Sequence, residues 1–529
     1  MINKELKDVT VAHPHKKDDH VGSVHDQRAG LTDGQTLARN TVWNLLGQAL
    51  PLLVGMAATP ALIHRLGTDK FGVLALAWIV VGYFTLFDFG LGRALTKLIA
   101  QKLGDGSKTD IPVLFWTALL LMGGVGVVGG VFMAVLTPWL TTHVLSIPRT
   151  IVPETTQAFF LLSIGLPIVI LTAGLQGVLA AYQQFKSFAA VRVVTGVWSF
   201  VGPWLSLVFT NNLAAIAAVL VVGRAVACVL SAWLCFRVDP RLRHASWVSE
   251  AVKPLVSFGS WMTVTNVVGP LMMYLDRFVI GVVLSMTAVA YYATPYDVVT
   301  RLLIIPTSLL GVLFPAFSTS LAVDRMRAGR LFERAVGVLF LLMFPITLVI
   351  VGFAYDGLNL WLGREFARHS APVLQWIAFG VFINSFGMVP FGSIQADGRP
   401  DITAKLHLIE LPIYFAILWF LLKRWGIEGA AIAWFLRLVL DDAVLYWVAL
   451  RDLPEARASV TRKGSFILFS CMVILAFIWS PLSSLLLRVG VISACLVTFF
   501  GLFWHTFLDE NEKVWFRSYA RVRNWEHSA

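Results

Sequence analysis

Residues 111–140 read IPVLFWTALLLMGGVGVVGGVFMAVLTPWL, thirty positions without a charged side chain. As a helix this run is about 45 Å long at ~1.5 Å per residue, enough to cross the ~30 Å hydrocarbon layer of a bilayer. Lipid offers its backbone no hydrogen-bond partners, so a lone run of this kind is stable there only as a helix. Similar runs recur on both sides of it. They predict membrane helices at roughly 38–64, 71–96, 111–140, 157–181, 187–210, 213–236, 254–281, 286–320, 331–355, 371–396, 402–422, 427–450, 464–486 and 488–508. Several hold internal Pro or Gly, among them Pro51, Pro60, Pro295 and Pro306. Membrane helices tolerate these where neighbours satisfy the freed backbone groups.

Composition points the same way. The 529 residues are 57% hydrophobic and 14% charged, with mean hydropathy +0.75. A soluble chain of this size lacks the polar surface to cover so much apolar area. The net charge of +11 would suggest nucleic acid in a soluble protein. Here it sorts by side of the membrane instead. With a cytoplasmic N-terminus, about 29 of the 42 Lys and Arg fall in inner loops and tails. The inner clusters include Lys97/Lys102/Lys108, Arg237/Arg241/Arg243, Arg325/Arg327/Arg330/Arg334 and Arg451/Arg457/Arg462/Lys463. An even span count keeps them on one side. The expectation is an all-α polytopic membrane protein with about fourteen transmembrane helices and both termini cytoplasmic. No nucleic-acid partner is expected.

Residues 1–36 are polar and read as a disordered cytoplasmic tail without a secretory signal, with a metal site at the scattered His13, His15, His20 and His25 as the second reading. Cys228, Cys235, Cys471 and Cys495 sit in apolar runs at no metal-ligand spacing and read as small buried hydrophobes. Residues 509–529 read either as an amphipathic segment on the inner leaflet or as an ordinary juxtamembrane tail.

Two halves of the chain echo each other at an offset of about 215 residues. GVLAAYQQFKSFAA from Gly177 falls opposite GSIQADGRPDITAK from Gly392, and LAAIAAVLVVGRA from Leu213 opposite GAAIAWFLRLVLD from Gly429. Each echo pairs spans six apart and of equal orientation. This predicts two parallel six-helix lobes, 37–240 and 250–450, with two extra C-terminal helices in 463–508. Substrate sites in such repeats lie between the lobes near the midplane.

Asn44, Pro60, Leu66-Gly67, Phe71-Gly72 and Asp88-Phe89-Gly90-Leu91-Gly92, followed by Arg93 and Lys97, carry a resemblance. Residues 37 to about 105 resemble the bacterial polysaccharide-transport family, the flippases of O-antigen and related lipid-linked oligosaccharides. That family shares a superfamily with multidrug exporters and the peptidoglycan-precursor flippase. The resemblance implies a V-shaped two-lobed transporter with alternating access, and an undecaprenyl diphosphate substrate carrying a short oligosaccharide.

Charges inside the spans are the candidate site. A centred charge costs about 2.5–3.5 kcal/mol on insertion scales. Asp297 and Arg301 in span 8 are four apart near the midplane and share one helix face. Arg437 and Asp441 repeat that spacing in span 12, with Asp442 beside them, and Arg224 lies at similar depth in span 6. These six line a charged central cavity whose Arg groups hold a diphosphate, or they form helix-to-helix ion pairs that fix packing. Gate or coupling roles are open to Asp88, Arg93, Asp276, Arg277 and Glu410. Snorkelling to an interface also accounts for Asp88, Arg93, Asp276, Arg277 and Arg192. Tyr274, Tyr291, Tyr292 and Tyr296 read as an interface belt, with sugar stacking as the second reading.

No P-loop, HExxH or nucleophile elbow is present, so neither an enzyme, a cofactor nor a metal is expected. The leading function is a lipid-linked oligosaccharide flippase of the bacterial cytoplasmic (inner) membrane. It would act as a monomer among membrane lipids, with a polysaccharide polymerase and glycosyltransferases as partners in the same process. The rivals are a cation-coupled multidrug exporter and a polytopic glycan polymerase or ligase.

Overall fold

The computed structural model describes residues 34–84, 90–104, 108–244, 252, 271–479 and 484–506. The tails 1–33 and 507–529, Asp88 and most of the expected span 254–281 lie outside the described residues. Among the described residues every regular element is helical. The N-terminal elements are α1 (Gly34–Leu66), α2 (Thr68–Phe84), α3 (Leu91–Gly104), α4 (Ile111–Trp139), α5 (Val152–Ala181), α6 (Phe185–Ser206) and α7 (Leu213–Val238). The C-terminal ones are α8 (271–283), α9 (Met286–Val299), α10 (Ile304–Val323), α11 (Arg325–Gly352), α12 (Ala354–Leu362), α13 (Arg364–Ala396), α14 (Pro400–Asp452), α15 (Pro454–Ile478) and α16 (Leu485–Thr506).

Ten helical segments among the described residues are long and apolar enough to cross a bilayer. One of them, α14, runs to 53 residues, about 80 Å if straight and more than twice the hydrocarbon thickness. It is two helices joined at Trp425 and Gly426, and Gly426 takes φ 60°, a conformation that costs glycine little. The sequence places a break there, between residues 422 and 427. The expected span 286–320 is also divided, by a 3₁₀ turn at Thr300–Leu303 between α9 and α10.

The helices form two lobes. In the first, α5 packs on α4 and α7, and α6 joins α1 to α7. In the second, α13 is the axis. Of its most apolar stretch 78% is buried, whereas for α16 the figure is 11%, so α16 lies at the edge with its apolar side chains turned toward lipid. There α15 and α16 pack on α11.

The lobes meet at one end, through α2 with α9 and α1 with α12. Ser285 caps α9 by accepting from the Ala288 N–H at 3.1 Å, the type of residue a helix start favours. Thr287 in its first turn donates to Asp69 and lies 3.2 Å from the Thr68 hydroxyl. Gly72 packs against the Met286 carbonyl so tightly that a β-carbon would collide with it. Ser146 donates its N–H to Gly281 (2.8 Å) and its hydroxyl to Val282 (2.9 Å), and Trp361 donates to the Met56 carbonyl at 2.8 Å. Leu62, Phe71, Leu207, Ala290, Tyr291 and Phe366 close into one buried apolar cluster drawn from both lobes.

At the opposite end two clasps among the described residues each stay within one lobe. Tyr182, just after α5, donates to Asp239, just after α7, and Arg241 pairs with the same carboxylate at 2.7 Å. Arg399, between α13 and α14, pairs with Asp452 at the end of α14 at 2.6 Å. The two clasps occupy equivalent places in the sequence echo, since Asp239 and Asp452 each close the helix six spans from the other. Arg241 holds the Asp239 carboxyl below the usual carboxylate range.

Candidate functional site: a cavity between the lobes and a buried acidic cluster

Helix α8 carries Arg277 into the second lobe with its side chain 1% exposed. Its guanidinium pairs with Asp297 of α9 at 2.7 Å and lies over the Tyr296 ring at 4.1 Å. Neighbouring Asp276 is fully buried, accepting from the Tyr292 hydroxyl at 2.6 Å and from the Arg277 N–H at 2.8 Å. Two expectations are corrected here. Asp297 does not pair with Arg301, because the 3₁₀ turn takes Arg301 out of the α-helical i,i+4 register and Arg277 reaches Asp297 from the next helix. Interface snorkelling does not describe Asp276 or Arg277, since both side chains end inside the protein. Tyr292 and Tyr296 are not part of an interface belt either. Tyr292 and Tyr296 are buried core residues around Arg277, and Tyr291 stacks on His369 at 4.7 Å.

Occupied by Arg277, Asp297 leaves Arg301 without an ion pair among the described residues. Asp297 and Arg301 line a pocket of about 90 Å³ between the lobes, next to the seal at residues 67–72. Pro51, Met56, Trp78 and Phe200 contribute from the first lobe, and Thr294 and Trp361 from the second. Arg192 of α6 lies near enough to Arg301 for the two like charges to interact. Arg224 lines a narrower pocket inside the first lobe with Leu162, Val221 and Trp78, and Trp78 is shared with the main pocket. Arg93, at the start of α3, is exposed.

The second group lies in the α14 hairpin, ~10–17 Å from its Pro400/Asp452 end at 1.5 Å per residue. Glu410 comes from the first arm, and Asp441 and Asp442 from the second, all three buried. Arg437 does not pair with Asp441, although their spacing suggested it. Its guanidinium sits over the Tyr414 ring at 5.6 Å, and its Nε has no hydrogen-bond partner. His407, one helical turn before Glu410, lies 3.9 Å from Asp441. His407, Glu410 and Asp441 each offer an atom within 4.8 Å of the others, a grouping that can hold a metal ion. Asp442 rests directly on the backbone of α13 at Gly387. Sequence reasoning overlooked His407, although its i,i+3 spacing from Glu410 put both on one face.

An all-helical, two-lobed protein with charged groups between and within its lobes is a multi-pass membrane protein of the transporter class. The chain belongs to the family described as polysaccharide biosynthesis protein, which matches residues 65–371. It is 31% identical over 420 residues to a Shigella flexneri protein named "Putative O-antigen transporter", covering 79% of this chain and 98% of that one. Among solved structures, its fold is similar to an inward-facing multidrug-resistance MATE family transporter of the MOP superfamily, with TM-score 0.67 and 15% identity, covering 79% of this chain and 96% of that one. It is also similar to the lipid II flippase MurJ in an inward closed conformation, with TM-score 0.64 and 11% identity over 87% of this chain and all of the other.

Proposed function

We propose that this chain is an alternating-access flippase that moves an undecaprenyl-diphosphate-linked oligosaccharide from the inner to the outer leaflet of the bacterial cytoplasmic membrane. The carrying observation is Arg301, without an ion pair among the described residues in a pocket walled by both lobes because Arg277 holds Asp297. A guanidinium is suited to a diphosphate by its bidentate donors. Arg192 and Arg224 add positive charge on the first-lobe side, while Arg437 belongs to the acidic cluster of α14.

With fourteen spans and both termini cytoplasmic, the sealed end at residues 67–72 faces outward and the pocket opens inward, ready for a headgroup from the inner leaflet. Separating α2 from α9 and closing the opposite end would deliver it outside. Moving one negative charge outward from an inside-negative cell runs with the field and releases about 2.3 kcal/mol per 100 mV. Glycosyltransferases would supply the substrate and a polymerase consume it, with the flippase acting as a monomer. A drug-exporting reading draws on the likeness to the MATE fold. It sits poorly with Arg301 in the pocket, since a cationic drug would meet like charge.

The test is a strain lacking the gene, complemented with wild type or with Arg301→Ala. Undecaprenyl-linked oligosaccharide should accumulate on the inner leaflet without the gene and with Arg301→Ala. Accumulation on the outer leaflet would indicate a polymerase or ligase and overturn the reading, as would normal surface glycan in the deletion strain.

A further inference from the structure

We infer that Arg327, Arg330 and Arg334 hold the phosphate headgroup of an anionic phospholipid on the lipid-facing side of α11. Spaced three and four residues apart, they share one helix face, and all three are exposed. The same face continues through Val338, Leu342 and Val349, which are 43%, 44% and 40% exposed. On the other side Phe332, Ala335, Leu339 and Met343 are buried. An apolar stripe left uncovered on a membrane helix meets lipid. From Arg334 to the end of α11 at Gly352 is ~27 Å at 1.5 Å per residue, close to the ~30 Å of the hydrocarbon layer. The stripe therefore runs through the hydrocarbon. The arginines continue it for another ~10 Å, at the level of the headgroups.

Charge points to a ligand from outside the chain. At this end of the protein other basic side chains find carboxylates: Arg241 pairs with Asp239 at 2.7 Å, Lys102 with Asp110 at 2.6 Å and Arg399 with Asp452 at 2.6 Å. Arg325 turns toward Asp397 at 3.9 Å and the Asp452 carbonyl at 3.3 Å, which fixes the start of α11 at the end opposite the seal. Arg327 and Arg330 have no ion pair among the described residues. The nearby Asp324 carboxylate caps α11 instead, accepting from the Arg327 N–H at 3.1 Å. Val323 and Met326, beside the arginines, are 89% and 49% exposed. Apolar side chains interleaved with basic ones suit the boundary between headgroups and acyl chains better than water. A phosphodiester matches the paired donors of a guanidinium, and basic clusters at the inner ends of membrane helices bind such headgroups.

The occupant is bulk phospholipid and not the cargo. The pocket at Arg301 draws no residue from α11, and the arginines lie on the face of α11 turned away from the core of its lobe. Because α13, α15 and α16 all pack on α11, a headgroup clamped there anchors the second lobe in one leaflet. Any part in transport rests on the flippase reading; the binding itself does not. The test titrates the purified full-length chain in detergent with equal amounts of phosphatidylglycerol and phosphatidylcholine of the same acyl chains. Bound lipid is counted by native mass spectrometry. Wild type should retain phosphatidylglycerol preferentially. Each arginine near an anionic surface contributes a preference of about fivefold. Arg330→Ala should therefore weaken retention by about that factor, and Arg327→Ala/Arg330→Ala/Arg334→Ala by about a hundredfold. Lys405→Ala, at an exposed lysine paired with Asp401 at 2.8 Å, should change nothing.

No preference for phosphatidylglycerol in folded wild type would overturn the inference, whatever the variants do. Equal losses from Lys405→Ala and Arg330→Ala would overturn it too, since the preference would then follow net charge and not this face. Undecaprenyl diphosphate held at the arginines by a wild type that ignores phosphatidylglycerol would make the patch a cargo site and sink the phospholipid assignment. None of these results touches the flippase reading, which the deletion strain tests separately.

Discussion

Replacing Arg277 with Met removes the central charge of the α8–α9 network and keeps most of its volume. Arg277 is 1% exposed, and its guanidinium faces Asp297 at 2.7 Å and the Tyr296 ring at 4.1 Å. The loss strands two carboxylates unequally. Asp297 is 55% exposed in the pocket and can be solvated, so its share is small. Asp276 is fully buried and would keep the Tyr292 hydroxyl and the backbone N–H of residue 277 but no cation. Breaking a buried pair by removing one partner costs about 3–5 kcal/mol, chiefly through the charge left behind. Arg277→Met should therefore lower thermal stability of the detergent-purified protein far more than Asp297→Asn does. The double variant Asp276→Asn/Arg277→Met should recover much of the loss, because the stranded buried charge is gone. An Arg277→Met protein that melts with wild type, or a double variant no better than the single, would refute the reasoning.

Asp239→Asn should cost about 1 kcal/mol at neutral pH, since Arg241 is half exposed. Arg241 depresses the folded-state pKa of Asp239, so this stability is present above the ordinary carboxylate value of about 4 and is lost as pH falls through the depressed one. Melts at stepped pH should show wild type and variant converging in acid. Gly387→Ala should destabilise by about 1–3 kcal/mol, because its methyl group meets the Asp442 carboxylate. Pairing it with Asp442→Ala should relieve the clash in the same melting assay.

The ten long apolar helical segments among the described residues were legible because lipid demands long apolar runs, and the break in α14 showed as an interruption near Trp425-Gly426. The basic clusters gave a frame for assigning sides. The charged network was only half legible. Asp297 and Arg301 satisfy the helix spacing rule, but that rule weighs neighbours within one helix. The partner that wins, Arg277, stands twenty residues away across a turn, and the 3₁₀ segment at Thr300–Leu303 has no sequence mark strong enough to cancel the rule. His407 stayed hidden for a related reason. Its partner Asp441 is on the returning arm of the hairpin, and only the fold brings the arms together. Tyr292 and Tyr296 read as interface residues because amphipathic rings favour that zone, whereas buried Arg277 and Asp276 draw them inward.

The seal between α2 and α9 offers the most direct measurement. Cysteines at Thr68 and Thr287, whose hydroxyls are 3.2 Å apart, should form a disulfide that locks the lobes together at that end. In vesicles containing the purified protein, transfer of lipid-linked oligosaccharide between leaflets should stop on oxidation and return on reduction. Transfer that continues at the wild-type rate with the disulfide fully formed would contradict alternating access between the lobes.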